Sequence, residues 1–493
     1  MDGAFFFTSI APVFDLTNLF FILIGAVSGI LIGSIPGLTS TMGIALLIPF
    51  TYGMPIIPSV GMLLGIFCGA MYGGSVAAIL IKTPGTPAAA ATILDGFPMG
   101  QRGEAGRALS IALFSSFAGG MTGALIMTFL SPFISKLALR FGPAEFFSLA
   151  IFGLSVIISI SGKSLVKGLI TAFFGLLIAT VGMDKTSAYL RFTKAPGFYE
   201  GIPFIPALIG LFAVSEVYAN IEKLLTGNVI KTKISGVLPS FKDLKAIWRQ
   251  VITGGFIGSF IGAIPGAGGD IAAFVSYSEA KRTSKHPEKF GTGVPEGIAA
   301  AESANNGCTG GAMIPLLSLG IPGDSNTAVL MGAFILQGFQ PGPMLYVEHL
   351  DIVYAVFASI MVANLGMLIA GIAGVRLFAR IISIERKLLI PAILVLSLVG
   401  SYAINHNMFD VYFALVMGLV GYLLQKFEFP LSPILLALIL GPMSESNLRR
   451  FMQIDDGQFW RLFTKPICVV FITLALGSLV SSVINQRKIR KSG

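Results

Sequence analysis

Four short polar segments, each interrupted by proline and glycine, carry most of the residues that could do chemistry in a largely apolar chain. They are Pro36-Gly37-Leu38-Thr39-Ser40-Thr41, Lys82-Thr83-Pro84-Gly85-Thr86-Pro87, Pro265-Gly266-Ala267-Gly268-Gly269-Asp270 and Pro322-Gly323-Asp324-Ser325-Asn326-Thr327. Proline lacks an amide donor and glycine tolerates positive φ, so each segment is expected to break a helix. We call these segments breaks 1 to 4, in chain order.

The breaks offer the donors that bind an anion. A helix that restarts after a break presents free N–H groups and the positive end of its dipole, which suits a carboxylate. Hydroxyl side chains add donors, and Lys82 is the one basic residue in the four segments. The predicted substrate contacts are Pro36, Gly37, Thr39, Ser40, Thr41, Lys82, Thr83, Gly85, Thr86, Gly266, Gly268, Gly269, Gly323, Ser325, Asn326 and Thr327.

Oxygen ligands for a small cation occur in the same segments. Unwound backbone carbonyls together with Asp270, Asp324 and Asn326 are hard oxygen donors, so they are the predicted cation site; no transition-metal site is expected. The alternative is that the breaks are interfacial loops whose polar residues meet water. In the segment 302–307, the adjacent amides of Asn305 and Asn306 could either cap a helix or reach the substrate.

Enzyme motifs are incomplete or missing. There is no zinc-binding HExxH sequence and no Walker A sequence, so the chain is not expected to be an enzyme or to carry a cofactor. Cys68, Cys308 and Cys468 lack metal-ligand or disulfide spacing and are predicted to be packing residues. The histidines are scattered near loops and are predicted to lie at the surface; they are His286, His349 and His406.

Composition defines the elements that must position these residues. The 493 residues are 54% hydrophobic and 12% charged, whereas soluble domains have about a quarter charged residues. Long apolar runs approach the ~20 residues of a helical span, and the alternating segments of a β-barrel are absent. The predicted fold is an all-α polytopic membrane protein with about 12–14 transmembrane elements. The net charge of +9 fits positive-inside loops better than nucleic-acid binding.

A glycine pattern occurs twice and predicts two repeats. Gly25-x3-Gly29-x3-Gly33-x2-Pro36-Gly37 recurs as Gly254-x3-Gly258-x3-Gly262-x2-Pro265-Gly266. Glycines four apart let another helix backbone approach closely, and many transporters build their midplane site from duplicated broken helices. Before break 2, Tyr72-Gly73-Gly74 is echoed by Thr309-Gly310-Gly311 before break 4. Residues 22–50 form either two crossings or one re-entrant hairpin.

Loop charges predict that the two repeats are inverted. The N-terminus has Asp2 and Asp15 but no basic residue and no removable signal peptide, whereas the link between the halves and the C-terminus are basic and therefore cytoplasmic. Arg191 and Arg449 are among the basic residues that fall on the predicted outside. The predicted divisions are a periplasmic segment 1–17, a first repeat 18–220, a basic link 221–249, a second repeat 250–445, and an amphipathic link with a final helix and basic tail 446–493.

Several motifs in order resemble the large membrane subunit of the tripartite tricarboxylate transporters, the TctA type. They are Gly33-Ser-Ile-Pro-Gly-Leu-Thr, Tyr72-Gly-Gly-Ser with Lys82-Thr-Pro-Gly-Thr-Pro, Gly262-Ala-Ile-Pro-Gly-Ala-Gly-Gly-Asp, and Glu302-Ser-Ala-Asn-Asn followed by Leu319-Gly-Ile-Pro-Gly. The resemblance covers about residues 18–445. Ser325-Asn326-Thr327 also resembles the Ser-Asn-Thr tips of sodium/dicarboxylate symporters, which the first-half counterpart Thr86-Pro87-Ala88 does not match.

The resemblance implies a secondary importer in a bacterial inner membrane. Such a subunit works with a small membrane subunit and a periplasmic solute-binding protein that delivers citrate or another carboxylate, and a sodium or proton gradient drives it. Our leading hypothesis is therefore a cation-coupled carboxylate importer whose breaks face each other near the midplane, with an elevator motion by analogy only. The alternative is an uncoupled channel or exporter for small organic anions. The sequence leaves homo-oligomerisation open.

Overall fold

The computed structural model describes residues 3–160, 164–184, 187–222, 239–381 and 386–492. Its helices are α1 (Gly3–Ile10), α2 (Leu16–Ser34), α3 (Ser40–Thr51), α4 (Ile56–Ile81), α5 (Ala90–Met99), α6 (Ala105–Ala138), α7 (Pro143–Ile160), α8 (Leu165–Ala179), α9 (Phe204–Leu208), α10 (Ser215–Glu222), α11 (Phe241–Gly262), α12 (Gly268–Thr283), α13 (Pro295–Leu319), α14 (Ser325–Leu336), α15 (Leu345–Glu348), α16 (Leu350–Ile381), α17 (Arg386–Asn405), α18 (Met408–Lys426), α19 (Ser432–Ile454) and α20 (Pro466–Ser492). Strands β1 (Gly182–Met183) and β2 (Leu190–Arg191) form an antiparallel pair.

Shorter turns join these helices. Three-residue to six-residue 3₁₀ turns occupy Ala11–Phe14, Pro87–Ala89, Pro196–Phe198, Pro287–Lys289 and Phe459–Thr464, and π-helical turns occupy Gly100–Glu104 and Ile209–Val214. Within the described ranges, β1 and β2 are the only strands. The all-α prediction is therefore confirmed.

The polytopic membrane class is also confirmed. Among the described residues, seven helical segments are long and apolar enough to cross a membrane: Leu16–Ser34, Ile56–Ile81, Pro87–Ala138, Phe204–Ile221, Leu350–Gly374, Met408–Lys426 and Pro466–Ile484. Six shorter apolar helices accompany them, including α3 and α14, which have 12 residues each. At ~1.5 Å per residue, such short helices do not span the ~30 Å hydrocarbon core on their own.

The chain forms two compact units, and each takes one segment from each half of the sequence. Unit 1 comprises Met1–Ser135 and Glu216–Gly400, and unit 2 comprises Lys136–Ser215 and Ser401–Gly493. All four breaks lie in unit 1. The sequence divisions stay predictions about repeats. Helix α11 already begins at Phe241, and the predicted end of the second repeat at residue 445 falls inside α19.

In unit 1 the glycines of both copies are points of close helix contact. A methyl group added at Gly29 of α2 would lie 2.4 Å from the carbonyl oxygen of Ile66 on α4. A methyl added at Gly258 of α11 would lie 2.2 Å from the carbonyl oxygen of Ala304 on α13. Real side chains cannot approach a backbone this closely, so glycine is needed at both positions. The predicted close packing of the two glycine helices is confirmed.

The same contacts define how the repeats correspond. A methyl at Gly73 would meet the carbonyl oxygen of Ile30 at 2.5 Å, and a methyl at Gly311 would meet that of Ser259 at 2.3 Å. Ile30 and Ser259 occupy equivalent places in the two glycine helices. Gly73 thus corresponds to Gly311, one residue away from the pairing that the sequence echo indicated.

Equivalent helices of the two repeats run in opposite directions. Contacts between α4 and α13 occur in reverse order along the two helices, with Ser75 bound to Glu302, Met71 to Asn305 and Cys68 to Asn306. The equivalent helices α6 and α16 behave likewise: methyl groups added at Gly120 and Gly371 would touch Asn364 and Leu113, respectively. This antiparallel arrangement is what inverted repeats require.

The breaks lie beside the middle of α4 and α13, not beyond their ends. Gly33, which precedes break 1, packs against Ala70 of α4. In break 2 the amide of Gly85 donates to the carbonyl oxygen of Gly74, also on α4, at 3.2 Å. Helices α2 and α3 thus turn at break 1 before α4 ends at Ile81, and both alternatives for residues 22–50 stay predictions.

Unit 2 has its own cores and an ion-pair cluster. One core contains Ala207, Leu211 and Ile434. Arg191 pairs with Glu445 at 2.8 Å, and Arg449 pairs with Asp184 and Glu445 at 2.8 and 2.7 Å; we call these four residues the unit 2 ion-pair cluster. Arg191 and Arg449, two of the basic residues that fall on the predicted outside, are therefore matched by carboxylates.

Part of the basic link lies outside the described residues, including Lys223, Lys231 and Lys233, and so do the basic side chains of the C-terminal tail. The rest of the link forms the first turns of α11. There the Arg107 guanidinium hydrogen-bonds Asp243 and holds the pKa of that carboxyl below its usual value. Ser240 caps α11 and also donates to Asp243 at 2.7 Å.

Candidate substrate and cation site

Breaks 1 and 4 meet through one amide side chain. The hydroxyls of Ser40 and Thr41, in the first turn of α3, both donate to Asn326 Oδ1 at 2.8 Å. Asn326 lies in the first turn of α14, and all three side chains are buried. Thr39 caps α3 by accepting the amide of Met42 at 3.2 Å. Two helix N-termini from opposite halves of the chain are thus held side by side.

Break 4 is ordered by a capping box. Asp324 Oδ1 accepts the Thr327 amide at 2.8 Å and the Thr327 hydroxyl at 2.7 Å, while the Asp324 amide donates back to that hydroxyl at 2.9 Å. Asp324 Oδ2 accepts from the side-chain amide of Asn326 at 3.0 Å. Asp324 therefore caps α14 and fixes the orientation of Asn326. A carboxylate has about four lone-pair sites, so these bonds leave capacity for a further partner.

Break 3 touches breaks 2 and 4. The amide of Gly266 donates to the carbonyl oxygen of Gly323 at 2.6 Å, and a methyl added at Gly268 would lie 3.9 Å from Asp324 Cβ. A methyl at Gly269 would lie 3.5 Å from Ala88 Cβ, just after break 2. Asp270 is in the first turn of α12 and is exposed. The two predicted carboxylate ligands of a cation thus stand on neighbouring breaks.

Break 2 divides into a buried and an exposed part. Gly85 and Thr86 are buried, and the Thr86 hydroxyl has no protein partner. Lys82 and Thr83 are exposed, and the Lys82 ammonium lies 5.5 Å from the centre of the Phe97 ring. Gly85 and Thr86 are therefore buried like the contact residues of breaks 1 and 4, whereas Lys82 and Thr83 are not.

Lys82 ends α4 in a left-handed conformation with φ 56°. The second repeat has Gly320 with φ 71° at the equivalent end of α13. This conformation favours glycine, and a side chain retained in it is a marker of function or strain.

The amides of segment 302–307 lie inside α13, so the alternative that they cap a helix is wrong. The helix begins at Pro295, and Asn305 and Asn306 are fully buried. The Asn305 amide donates to the Met71 carbonyl oxygen at 3.2 Å. Its Oδ1 has no protein partner and would lie 2.9 Å from a methyl added at Gly269. Asn305 therefore faces break 3, as the other alternative required, whereas Asn306 donates to the Cys68 carbonyl oxygen.

The turn of break 1 faces a helix that sequence reasoning did not include in the site. Gly37 has φ 95°, and a methyl added there would lie 3.1 Å from Glu216 Oε1 and 3.3 Å from Asn220 Oδ1, both on α10. Asn220 also donates to Glu216 at 2.8 Å. Pro36 and Gly37 thus lie beside α10, apart from the contact of Ser40 and Thr41 with Asn326.

Two fully buried carboxylates in unit 1 were also missed. Asp95 on α5 accepts backbone amides of the loop before α13, and Glu302 on α13 accepts three hydroxyls from the first repeat. The available signal was a lone acid inside an apolar helix, which marks a functional hypothesis by default. The hydroxyl partners themselves belong to no motif.

Cysteines and histidines lie where the sequence predicted them. Cys68, Cys308 and Cys468 are buried free thiols, and His286, His349 and His406 are exposed. Among the residues that the structure describes, no group of three or more His, Cys, Asp or Glu could hold a metal ion.

Comparisons with known proteins agree on one family. The family profile described as the "Tripartite tricarboxylate transporter TctA family" matches residues 19–436. The "Uncharacterized 52.8 kDa protein in TAR-I ttuC' 3'region" of Agrobacterium vitis is 38% identical over 97% of this chain and 95% of its own length. The "Uncharacterized protein in TAR-II ttuC' 3'region" of the same organism is 39% identical over 46% of this chain and 94% of its own length. No solved structure matches the chain significantly.

Proposed function

Because the chain belongs to the tripartite tricarboxylate transporter TctA family, we propose that it is the translocating subunit of a cation-coupled carboxylate importer. It is a multi-pass membrane protein and a component of a tripartite transporter. Membership of a transporter family favours a transport role over an enzymatic one. The proposed substrate is citrate or another tricarboxylate or dicarboxylate.

One observation carries the proposal: the N-termini of α3 and α14 meet at Asn326, and α12 begins beside them. Helix N-termini supply free N–H groups and positive dipole ends for a carboxylate. The unpartnered oxygens of Thr86 and Asn305 supply polar capacity that the protein itself does not use. The proposed substrate site is therefore the space where the four breaks converge.

Basic side chains supply little countercharge for the substrate. Within the described residues of the four breaks, Lys82 is the only cation, and it is exposed. Either dipoles, hydroxyls and a co-bound cation balance a tricarboxylate, or the substrate carries fewer charges and is a dicarboxylate. The left-handed backbone at Lys82 fits a residue kept for an approaching anion.

The proposed coupling cation is Na⁺ or H⁺. Asp270, Asp324 and Asn326 stand on adjacent breaks, and they offer the oxygen ligands that a hard cation prefers. Asn326 donates to Asp324 and accepts from the Ser40 and Thr41 hydroxyls of break 1. A cation on Asp324 would thereby act on the contact between breaks 1 and 4.

The proposed setting follows from the family. A tripartite system implies partner subunits, and we propose a small membrane subunit and a periplasmic solute-binding protein in a bacterial inner membrane. Alternating access by an elevator motion is an analogy, and no homo-oligomer is needed for the site, whose breaks all lie in one chain and one unit.

The test is uptake of labelled carboxylates, citrate included, into liposomes that contain the chain and its small membrane subunit. The binding protein is added or omitted, and a sodium or proton gradient is imposed or collapsed. We expect saturable accumulation that requires both the binding protein and a gradient. Flux that ignores both would contradict the proposal and favour a channel.

Asn326 gives the sharpest single-residue test of the convergence. Asn326→Ala removes the acceptor of two hydroxyls and one partner of Asp324, so breaks 1 and 4 lose their contact. We expect uptake to fall by about tenfold or more, since one buried hydrogen-bond network is worth more than ~1.4 kcal/mol. Initial uptake rates in the same liposomes measure it.

Asn447→Ala is the matched control for Asn326→Ala. Asn447 lies in unit 2, where it donates to the Met443 carbonyl oxygen at 2.8 Å, and it has no role in the breaks. Uptake by this variant should equal that of the unmodified chain. Equal uptake by both variants would remove Asn326 from the site.

A further inference from the structure

Glu302 is a fully buried carboxylate held by three hydroxyls. Its Oε1 accepts from the hydroxyls of Ser75 at 2.5 Å and of Thr92, and its Oε2 accepts from Ser116 at 2.9 Å. Glu302, Ser75 and Ser116 are 0% exposed and Thr92 is 1% exposed. One side chain of the second repeat thus binds three helices of the first repeat, α4, α5 and α6.

No positive side chain balances this carboxylate among the described residues, because none of their ion pairs includes Glu302. A buried charge without a counterion is costly, so a buried acid of this kind is a candidate for a group that changes its charge during function. The three hydroxyls touch the carboxylate directly, so a metal cation would have to displace them. A proton can neutralise Glu302 without moving any of them.

The titratable groups around Glu302 are few. Tyr72 on α4 interacts with it electrostatically, and its buried hydroxyl has no protein partner. On α5 and α12, Asp95 and Tyr277 bind each other at 2.8 Å. Other charged or titratable groups on α13 and the elements packed near it include Arg107 on α6, which pairs with Asp243 on α11, and the buried thiols of Cys68 on α4 and Cys308 on α13. Asp270 and Asp324 lie at the breaks, Glu279 on α12 pairs with Arg282, and the remaining basic side chains of α11 and α12 are exposed: Lys242, Lys245, Arg249 and Lys281.

Glu302 is also next to the converging breaks. Asn305 follows it by three residues, a spacing that places both on one face of α13. Both side chains bind α4, through Ser75 and the Met71 carbonyl oxygen, and Asn305 faces Gly269 of break 3. A change of charge on Glu302 therefore occurs one helical turn from the proposed substrate site.

We propose that Glu302 binds and releases the proton that accompanies carboxylate import. This role rests on the proposed function, and it makes Glu302 the residue that couples import to a proton gradient. One proton joins a carboxylate oxygen from the outer side and leaves to the inner side in each cycle. The hydroxyls of Ser75, Thr92 and Ser116 stabilise the ionised form between these events. No bond other than O–H forms or breaks.

The first test uses Glu302→Gln in liposomes that contain the chain and its small membrane subunit, with the binding protein added. Glutamine has the shape of glutamate but cannot exchange this proton. We expect loss of accumulation driven by an inward proton gradient and loss of the proton entry that a pH-sensitive dye reports. Exchange of external labelled for internal unlabelled carboxylate is retained, because exchange needs no net proton movement.

Glu348→Gln is the matched control. Glu348 on α15 is exposed and has no role in the breaks, so accumulation, proton entry and exchange should all persist. Proton-driven accumulation by Glu302→Gln at the unmodified level would overturn the proposal. Loss of exchange in a variant that stays monodisperse would also overturn it, because that result assigns Glu302 to structure or substrate contact.

The second test keeps the carboxylate and removes one hydroxyl, which covers the case in which Glu302→Gln does not fold. Thr92→Val and Ser116→Ala each delete one hydrogen bond to the ionised form. The pH dependence of uptake should shift to more alkaline pH in both variants, and an unchanged pH profile would refute proton binding at Glu302.

Transport by the unmodified chain distinguishes an error in the proposed function from an error in the role of Glu302. If the unmodified chain neither exchanges nor accumulates any carboxylate, both the proposed function and the coupling role of Glu302 are wrong. If the unmodified chain accumulates carboxylate with sodium alone and admits no protons, the importer stands and the proposal for Glu302 is wrong.

Discussion

Gly85→Ala is expected to prevent the chain from reaching its native packing. A methyl group at this position would lie 1.8 Å from the carbonyl oxygen of Gly33 and 2.9 Å from the Cα of Gly74. Both neighbours are backbone atoms, of α2 and of α4, so the collision cannot be relieved by rotation of a side chain. Overpacked sites cost about 1–3 kcal/mol and sometimes more, and a backbone collision belongs at or above the top of that range.

The measurement is the monodisperse fraction and the thermal midpoint of the purified chain in mild detergent. Gly477→Ala is the matched control, because a methyl group there meets nothing within 4 Å and alanine favours a helix over glycine by ~1 kcal/mol. The control should be as stable as the unmodified chain or more so. A Gly85→Ala chain with an unchanged midpoint would show that break 2 does not pack on Gly33 and Gly74.

The equivalent change in the second repeat tests the correspondence of the repeats. A methyl at Gly323 would lie 2.6 Å from both the Gly262 carbonyl oxygen and the Ala312 Cα. Gly262 and Ala312 correspond to Gly33 and Gly74, so the methyl group collides with equivalent backbone atoms, but at longer distances. Gly323→Ala should therefore also destabilise the folded chain, though less than Gly85→Ala does.

The repeats and their breaks were predictable because local physics defines them. Glycines four apart on an apolar helix mean close backbone contact, and Pro-Gly after them ends the helix. Gly29 and Gly258 accordingly pack on backbone in both copies. The one-residue error at Gly73 arose because two adjacent glycines fit the echo equally well, and only their contacts with α2 select one.

The pairing of the breaks was beyond sequence reasoning. Ser40 and Asn326 are separated by 286 residues, and nothing local states that break 1 meets break 4 through an amide while break 3 touches breaks 2 and 4. Lys82 was included for its charge, but its exposure depends on how the α4 end packs. Asp95 and Glu302 carried a general signal for function, whereas their hydroxyl and amide partners come from distant helices.

Most of the newly found polar contacts join the first repeat to the second. Asn326 binds break 1, Asn305 and Asn306 bind carbonyl oxygens of α4, and Glu302 binds three hydroxyls of α4, α5 and α6. Apolar packing in a membrane is weakly directional, so buried polar contacts define the register between helices. The two halves of unit 1 are thus aligned by the same residues that surround the proposed substrate and proton sites.

Asp95→Ala is expected to be the most destabilising side-chain truncation in this interface. The buried carboxylate of Asp95 accepts the amides of Gly291, Gly293 and Val294 at 2.7–2.9 Å and the hydroxyl of Tyr277 at 2.8 Å. Alanine would leave these four donors without their acceptor. Breaking such a buried charged network costs about 3–5 kcal/mol, most of it at the start of α13.

Two further variants separate the contribution of the Tyr277 hydroxyl from that of the backbone amides in the effect of Asp95→Ala. Tyr277→Phe removes one hydrogen bond and should cost about 1 kcal/mol. Asp95→Asn keeps an oxygen for the backbone amides, and its NH₂ can donate to the Tyr277 hydroxyl. The loss of stability in Asp95→Asn should therefore lie between the losses in Tyr277→Phe and Asp95→Ala. Thermal midpoints in detergent give the order. If Asp95→Ala were no worse than Tyr277→Phe, the amides of the loop would not depend on Asp95, and α13 would need another cap. The expected order instead makes a carboxylate of the first repeat the N-terminal anchor of the helix that carries Glu302 and Asn305.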